Sequence, residues 1–257
     1  MKIWPVVFTC ERDLDLVWLQ RYYMKKAGID FEEYTLVVDR AFLPSVVHHE
    51  WIKKEGIRLV ERPDGYVPWP AEANCDSKVG GFKAFLEAVR PDDGDYVFDF
   101  DSDAFLVGTK LLEHLGKADL IGFRFTNRAR WISRFGENWS HCMGALQIIR
   151  AGALRKAVSL SGGDVLWAKE WIKAHGSTYE FVHDQYFPLL LRVAGASAFY
   201  PDSGYTYCEG KQVEELILNG WEGLSLLHLY ETWKSFAGIP IEGKWQIPAV
   251  LRKKGLA

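Results

Sequence analysis

Cysteine is scarce: Cys10, Cys75, Cys142 and Cys208 are the only four in 257 residues, widely spaced and with no CxxC pair among them. That argues against a structural zinc site and against a small disulfide scaffold, and reduced thiols in a cytoplasmic setting are the expectation. Long apolar runs are missing as well. The run that begins at Ile3 meets Glu11 and Arg12 too soon to be a signal-peptide core or a membrane span, so a soluble, unprocessed protein with no transmembrane segment is expected. Nor is there an excess of positive charge. With 31 Lys and Arg against 34 Asp and Glu the formal charge is −3, which removes any bulk attraction to nucleic acid or to an anionic membrane. Internal repeats, low-complexity tracts and linkers are absent too.

What is present is a chain with 48% hydrophobic residues, enough to bury a real core. Aromatics make up 14%, and flat apolar rings can serve as stacking platforms as well as packing. The apolar run Ile3 to Thr9 predicts a strand, and the spacing from Asp13 to Gly28 predicts a helix that Gly28 stops. The pattern returns in a strand from Tyr34 to Val38 ending at Asp39, a helix from Pro44 to Glu55, and a strand from Ile57 to Val60. A helix from Ser77 to Val89 and a Pro-Asp-Asp-Gly turn then lead into the strand Tyr96 to Phe98. Later segments read as a helix (Thr109 to Leu115), strands (Asp119 to Phe123, Ala145 to Ile149, Leu224 to Leu229) and helices (Asp164 to Ala174, Asp184 to Val193). Alternation of this kind predicts an α/β fold, a sheet of mainly parallel strands flanked by helices.

The chemistry concentrates where the fourth strand ends. Asp99, Asp101 and Asp103 fall at alternate positions directly after apolar residues, so an extended backbone projects them to one side. Converging carboxylates repel unless a cation neutralises them, and oxygen ligands suit Mg²⁺ or Mn²⁺. Several readings compete. An EF-hand would need Gly and Glu where Ala104 and Lys110 stand, and fails. Val-Phe-Asp-Phe-Asp resembles the first motif of haloacid-dehalogenase-like phosphotransferases, but Asp103 replaces the expected Thr or Val and the motif comes too late in the chain. A solvated acidic turn is the bland alternative. The remaining reading is an Asp-X-Asp motif, and its position and companions decide in its favour.

With those companions the chain resembles the metal-dependent GT-A glycosyltransferase superfamily over roughly Ile3 to Lys234. The resemblance implies one GT-A-like domain over residues 1–257, built on a nucleotide-sugar-binding sheet, with 232–257 as a C-terminal extension. Thr9, Glu11 and Arg12 occupy the place of the family's first nucleotide-holding loop, and Asp39 that of the residue near base or ribose. Lys78 matches a basic contact to the donor. Cys142-Met143-Gly144 is similar to the family's Asn-X-Gly strand, with Cys142 in place of Asn and Gly144 allowing the sugar to approach the backbone. His183-Asp184-Gln185 resembles the element facing the acceptor, and Leu226 to Lys234 the late His segment.

The roles implied are Asp101, Asp103 and His228 as ligands of Mn²⁺ or Mg²⁺, and Asp101 also as a donor contact. Lys234 or Lys78 would face the diphosphate, Asp184 would be the catalytic base, and Gln185 would orient the sugar. The implied reaction moves a hexosyl or pentosyl group from a nucleoside-diphosphate sugar, a UDP-sugar foremost, to an acceptor hydroxyl. The stretch Arg124 to His141 interleaves Arg and Trp and is a candidate acceptor loop, with a glycan favoured over nucleic acid because the rest of the chain is not basic. A nucleotidyltransferase and a non-catalytic carbohydrate- or nucleotide-binding module are the alternatives. Thr9 to Asp13 lacks the Gly-rich phosphate loop with which the former usually opens.

Overall fold

The computed structural model describes residues 1–62, 71–124, 142–161, 188, 190–201, 205–207, 221–228 and 255. The predicted helices at 164–174 and the first turns of 184–193, the loop after residue 124 and the extension 232–257, apart from residue 255, lie outside them.

Strand β1 (Ile3–Thr9) is a β-branched and apolar run buried on both faces, as strands covered on both sides require. Helix α1 (Leu14–Lys26) follows, and Gly28 ends it at φ +71°, a left-handed conformation that glycine adopts without steric cost. β2 (Thr35–Asp39) and β3 (Arg58–Arg62) extend the sheet, each parallel to its neighbour. Between them the single helix expected from Pro44 to Glu55 is instead two short ones, α2 (Leu43–Val46) and α3 (Glu50–Lys54). The break falls at Val47-His48-His49, three weak helix formers in a row, where His49 adopts an extended backbone.

Helix α4 (Ala71–Val89) starts earlier than its periodicity predicts and carries the chain back across the sheet to β4 (Tyr96–Phe100), which pairs in parallel with β1. β5 (Ala104–Leu106), a 3-10 helix (Lys110–His114) where a helix is expected from Thr109 to Leu115, β6 (Leu120–Arg124), β7 (Cys142–Arg150), α5 (Ala151–Ser161), β8 (Ala198–Phe199), β9 (Tyr205–Tyr207) and β10 (Leu226–His228) follow. The central sheet has seven strands in the order β3-β2-β1-β4-β7-β6-β8. It is mainly parallel, with β7 antiparallel to both neighbours. A second sheet, β5-β10-β9, has three.

Alternate residues of each strand feed two cores. Val7 and Phe98 pack with Leu14, Val17, Val46 and Ile52 of α1 to α3 on one face. Val6 and Val97 pack with Val79, Phe82 and Leu154 of α4 and α5 on the other. The result is a three-layer α/β sandwich. Gly81 of α4 lets that helix lie close, since a Cβ there would sit 2.3 Å from the Phe8 ring.

Asp95 pins the start of β4 to β1, accepting from the Lys2 N–H at 2.8 Å, the Trp4 indole at 3.0 Å and the Asp92 N–H at 3.1 Å. Burial alone would raise its carboxyl, but these hydrogen bonds outweigh that and hold it below its ordinary value of 3.8. A carboxyl lowered by folding contributes stability that is complete above its unfolded pKa and is lost as pH falls through the folded one. Denaturant unfolding at a series of pH values should therefore show an acid loss, beginning near pH 4, whose Asp95 share is absent from Asp95→Asn.

Candidate functional site

The order of the central sheet contains a switch point. From β1 the chain winds outward through β2 and β3, then crosses back by α4 to β4 on the other side of β1. At such a point the loops at the carboxyl ends of the two adjacent strands diverge and leave a crevice, the usual place for a ligand in an open α/β sheet. Here those loops are 9–13 and 100–104, the two segments singled out from sequence.

The acidic loop is a tight turn between β4 and β5, closed by the Ala104 N–H donating to Asp101 O at 3.1 Å. The Asp101 N–H donates to Ala145 O of β7 at 3.2 Å, which anchors its entry. Its exit is fixed by the second sheet: β10 runs antiparallel to β5, placing His228 opposite Ala104. His228 Nε2 consequently lies 3.5 Å from Asp103 Oδ1, with both side chains 6% exposed. One ligand atom from each of Asp101, Asp103 and His228 falls within 4.8 Å of the others. Two carboxylates and an imidazole at this spacing form a donor set for Mn²⁺ or Mg²⁺. This is the only such group of three among the described residues.

Close packing makes that register possible. Gly108, just beyond β5, has no room for a side chain, because a Cβ there would lie 2.5 Å from the Leu224 carbonyl oxygen, while the adjacent Val107 N–H donates to Ser225 O at 2.8 Å. A backbone oxygen cannot rotate aside. Gly108→Ala should therefore cost about 1–3 kcal/mol in urea unfolding and shift β10 against β5.

Asp99, the first carboxylate of the cluster, is not beside the other two. It faces α4, fully buried, with Lys78 Nζ 2.7 Å from its Oδ2. The Lys78 ammonium also lies 5.5 Å from the Phe8 ring centroid and 5.9 Å from that of Phe82. Lys78, expected at the donor, is thus held in a buried ion pair directly beneath the turn.

The other expected contacts are placed as follows. Thr9 ends β1 and its hydroxyl donates to Cys10 O at 3.3 Å. Glu11 is exposed, 4.0 Å from His49 Nε2, and Arg12 lies beside it in a single turn of 3-10 helix. Asp39 ends β2, accepts from the Ala41 N–H at 3.3 Å, and lies 3.6 Å from the Arg62 guanidinium. Gly144 lies in β7, next to the residue whose carbonyl anchors Asp101. Asp184, Gln185 and Lys234 lie outside the described residues.

Sequence reasoning missed the ties between the two loops. Ser102, between Asp101 and Asp103, donates to Asp13 Oδ2 at 3.0 Å. Gln20 of α1 reaches the same turn. Arg62 was not foreseen as the partner of Asp39. A signal for Gln20 was available: Leu16, Leu19, Gln20 and Tyr23 share one helical stripe, so a polar residue sits where a core residue is expected.

No family model matches the chain, and no curated protein sequence does. Solved structures do. The galactosyltransferase LgtC, in complex with donor and acceptor sugar analogs, is similar with a TM-score of 0.59 at 11% identity, over 98% of this chain and 95% of that one. An active-site mutant of LgtC gives the same values. The apo-form glycosyltransferase GlyE of Streptococcus pneumoniae TIGR4 is similar with a TM-score of 0.50 at 12% identity, over 100% of this chain and 62% of that one. No helix among the described residues is long and apolar enough to cross a membrane. Sheet order, layering and these likenesses agree, and the chain has the GT-A-like fold of the glycosyltransferases.

Proposed function

We propose that this chain is a metal-dependent glycosyltransferase that moves a sugar from a nucleoside-diphosphate donor, a UDP-sugar foremost, to an acceptor hydroxyl, a glycan in preference to nucleic acid. The observation that carries the reading is the convergence of Asp101, Asp103 and His228 at the switch point between β1 and β4. Fold alone does not establish turnover, so the weight rests on that donor set.

In this reading the carboxylates of Asp101 and Asp103 and the His228 imidazole hold Mn²⁺ or Mg²⁺. When bound, the cation supplies the positive charge that stabilises a departing diphosphate. Thr9, Glu11 and Arg12 line the nucleotide, Asp39 is directed to base or ribose, and Gly144 admits the sugar to the backbone. Lys234 or Lys78 supports the diphosphate electrostatically. Asp184 accepts the proton of the acceptor hydroxyl if configuration inverts. In a retaining reaction Asp184 and Gln185 orient the sugar.

The test is incubation with Mn²⁺ and a panel of nucleotide sugars, following nucleoside-diphosphate release. One donor should be hydrolysed slowly without acceptor, and chelation should lower the rate by about 100-fold or more. Pyrophosphate release from a nucleoside triphosphate and a sugar phosphate would show a nucleotidyltransferase instead. Nucleotide binding with no turnover of any donor would show a binding module.

A further inference from the structure

The turn that carries Asp101 and Asp103 is bridged end to end by one side chain. Gln20 Nε2 donates to Asp101 O at 3.0 Å and also to Ala104 O, so the two ends of the turn share a single amide. Gln20 is fully buried on α1, among Leu16, Leu19 and Tyr23. Its Oε1 accepts from the Tyr34 hydroxyl. Tyr34 is buried as well, and burial, only partly offset by Arg21, pushes its phenol well above the ordinary value, so it remains a proton donor at any working pH.

A glutamine amide has two hydrogens to donate and one oxygen to accept with. All three are engaged here, which fixes the amide against flipping and sets the spacing of the two carbonyls it bridges. Such a group is costly in a core unless it is fully bonded, so its place in an apolar stripe needs a reason. The residues it grips supply one. Asp101 carries one metal-site carboxylate, and Ala104 follows the other and lies opposite His228 in the β5–β10 register. The clamp thus joins the backbone of Asp101 to that of the residue facing His228.

We propose that Gln20, held by Tyr34, is a positioning residue for the cation: it fixes both ends of the Asp101–Ala104 turn so that Asp101, Asp103 and His228 converge. Gln20 itself touches neither cation nor sugar. The inference rests on the metal reading of the site given above.

The experiment is a titration of Mn²⁺ by calorimetry, well below the melting temperature, on the full chain and on Gln20→Met and Tyr34→Phe. Gln20→Met keeps the volume and removes the clamp, and should bind Mn²⁺ about 10- to 100-fold more weakly, with transfer largely restored at saturating Mn²⁺. Tyr34→Phe removes only the hydroxyl that orients the amide, and should lose affinity about several-fold. A residue of merely structural importance would lower the melting temperature and leave the affinity of the folded protein unchanged. Wild-type Mn²⁺ affinity in both folded variants overturns the positioning role while the metal reading stands. Should Gln20→Met fail to fold, an unchanged affinity in Tyr34→Phe overturns it alone. A wild-type chain that takes up no Mn²⁺ overturns the metal reading, and this inference with it.

Discussion

Asp103→Ala should abolish Mn²⁺-supported sugar transfer, lowering nucleoside-diphosphate release by about 100-fold or more, while the metal-free protein keeps its fold. Asp103 lies 3.5 Å from His228 Nε2 and is almost wholly buried, so no neighbouring carboxylate can take its place without moving the turn. Losing it removes one of two like charges held close together in the absence of a cation, and that relief offsets the lost contact to His228. The melting temperature in chelator should therefore change little. On the proposed metal reading saturating Mn²⁺ raises the wild-type melting temperature, by an amount worth about 3 kcal/mol at a hundredfold excess over Kd, and this rise should vanish in Asp103→Ala. Thermal melts with and without Mn²⁺, read beside the transfer assay, separate the two effects. Full activity together with a full thermal shift would remove Asp103 from the site.

Lys78→Met should cost about 3–5 kcal/mol in urea unfolding. Its ammonium sits 2.7 Å from an Asp99 carboxylate that is completely enclosed. Removing the ammonium strips an enclosed carboxylate of an opposite charge at 2.7 Å, a cost that exceeds what the intact pair contributes. Asp99→Asn in the same background should recover most of the loss, since two neutral groups of similar shape avoid that cost. A double mutant as unstable as Lys78→Met would show that volume, and not charge, is what Lys78 provides.

Much of the architecture was legible in the sequence because its signals are local. The β-branched run of Ile3 to Thr9, the glycine after α1 and the turn before Tyr96 each act within a few residues, and strand-helix alternation then predicts the layered sheet. The carboxylates at the end of β4 stood out because like charges directly after an apolar strand are unfavourable without a counter-ion. What was not legible depends on pairing across the chain. Leu226–His228 falls within the strand expected from Leu224 to Leu229, but Ala104–Leu106 is a three-residue strand too short for any periodicity, and the register of the two is what brings His228 to Asp103. The partnership of Lys78 with Asp99 likewise required knowing which face of β4 meets α4. Gln20 was passed over because a glutamine reads as a surface residue unless its helical neighbours are counted.

The small β5-β10-β9 sheet has a further consequence. It joins β5 to a strand more than a hundred residues later in the chain, so on a ribosome-bound fragment the Asp101, Asp103 and His228 cluster stays incomplete until residues 226–228 have emerged and docked. Loop closure of that span must be completed before any coordination energy repays it. On the proposed metal reading, capture of the ion is then a late event in maturation, and the bound ion is a clasp that resists fraying of β10, which amide exchange at Leu227 would register as slowed on metal addition.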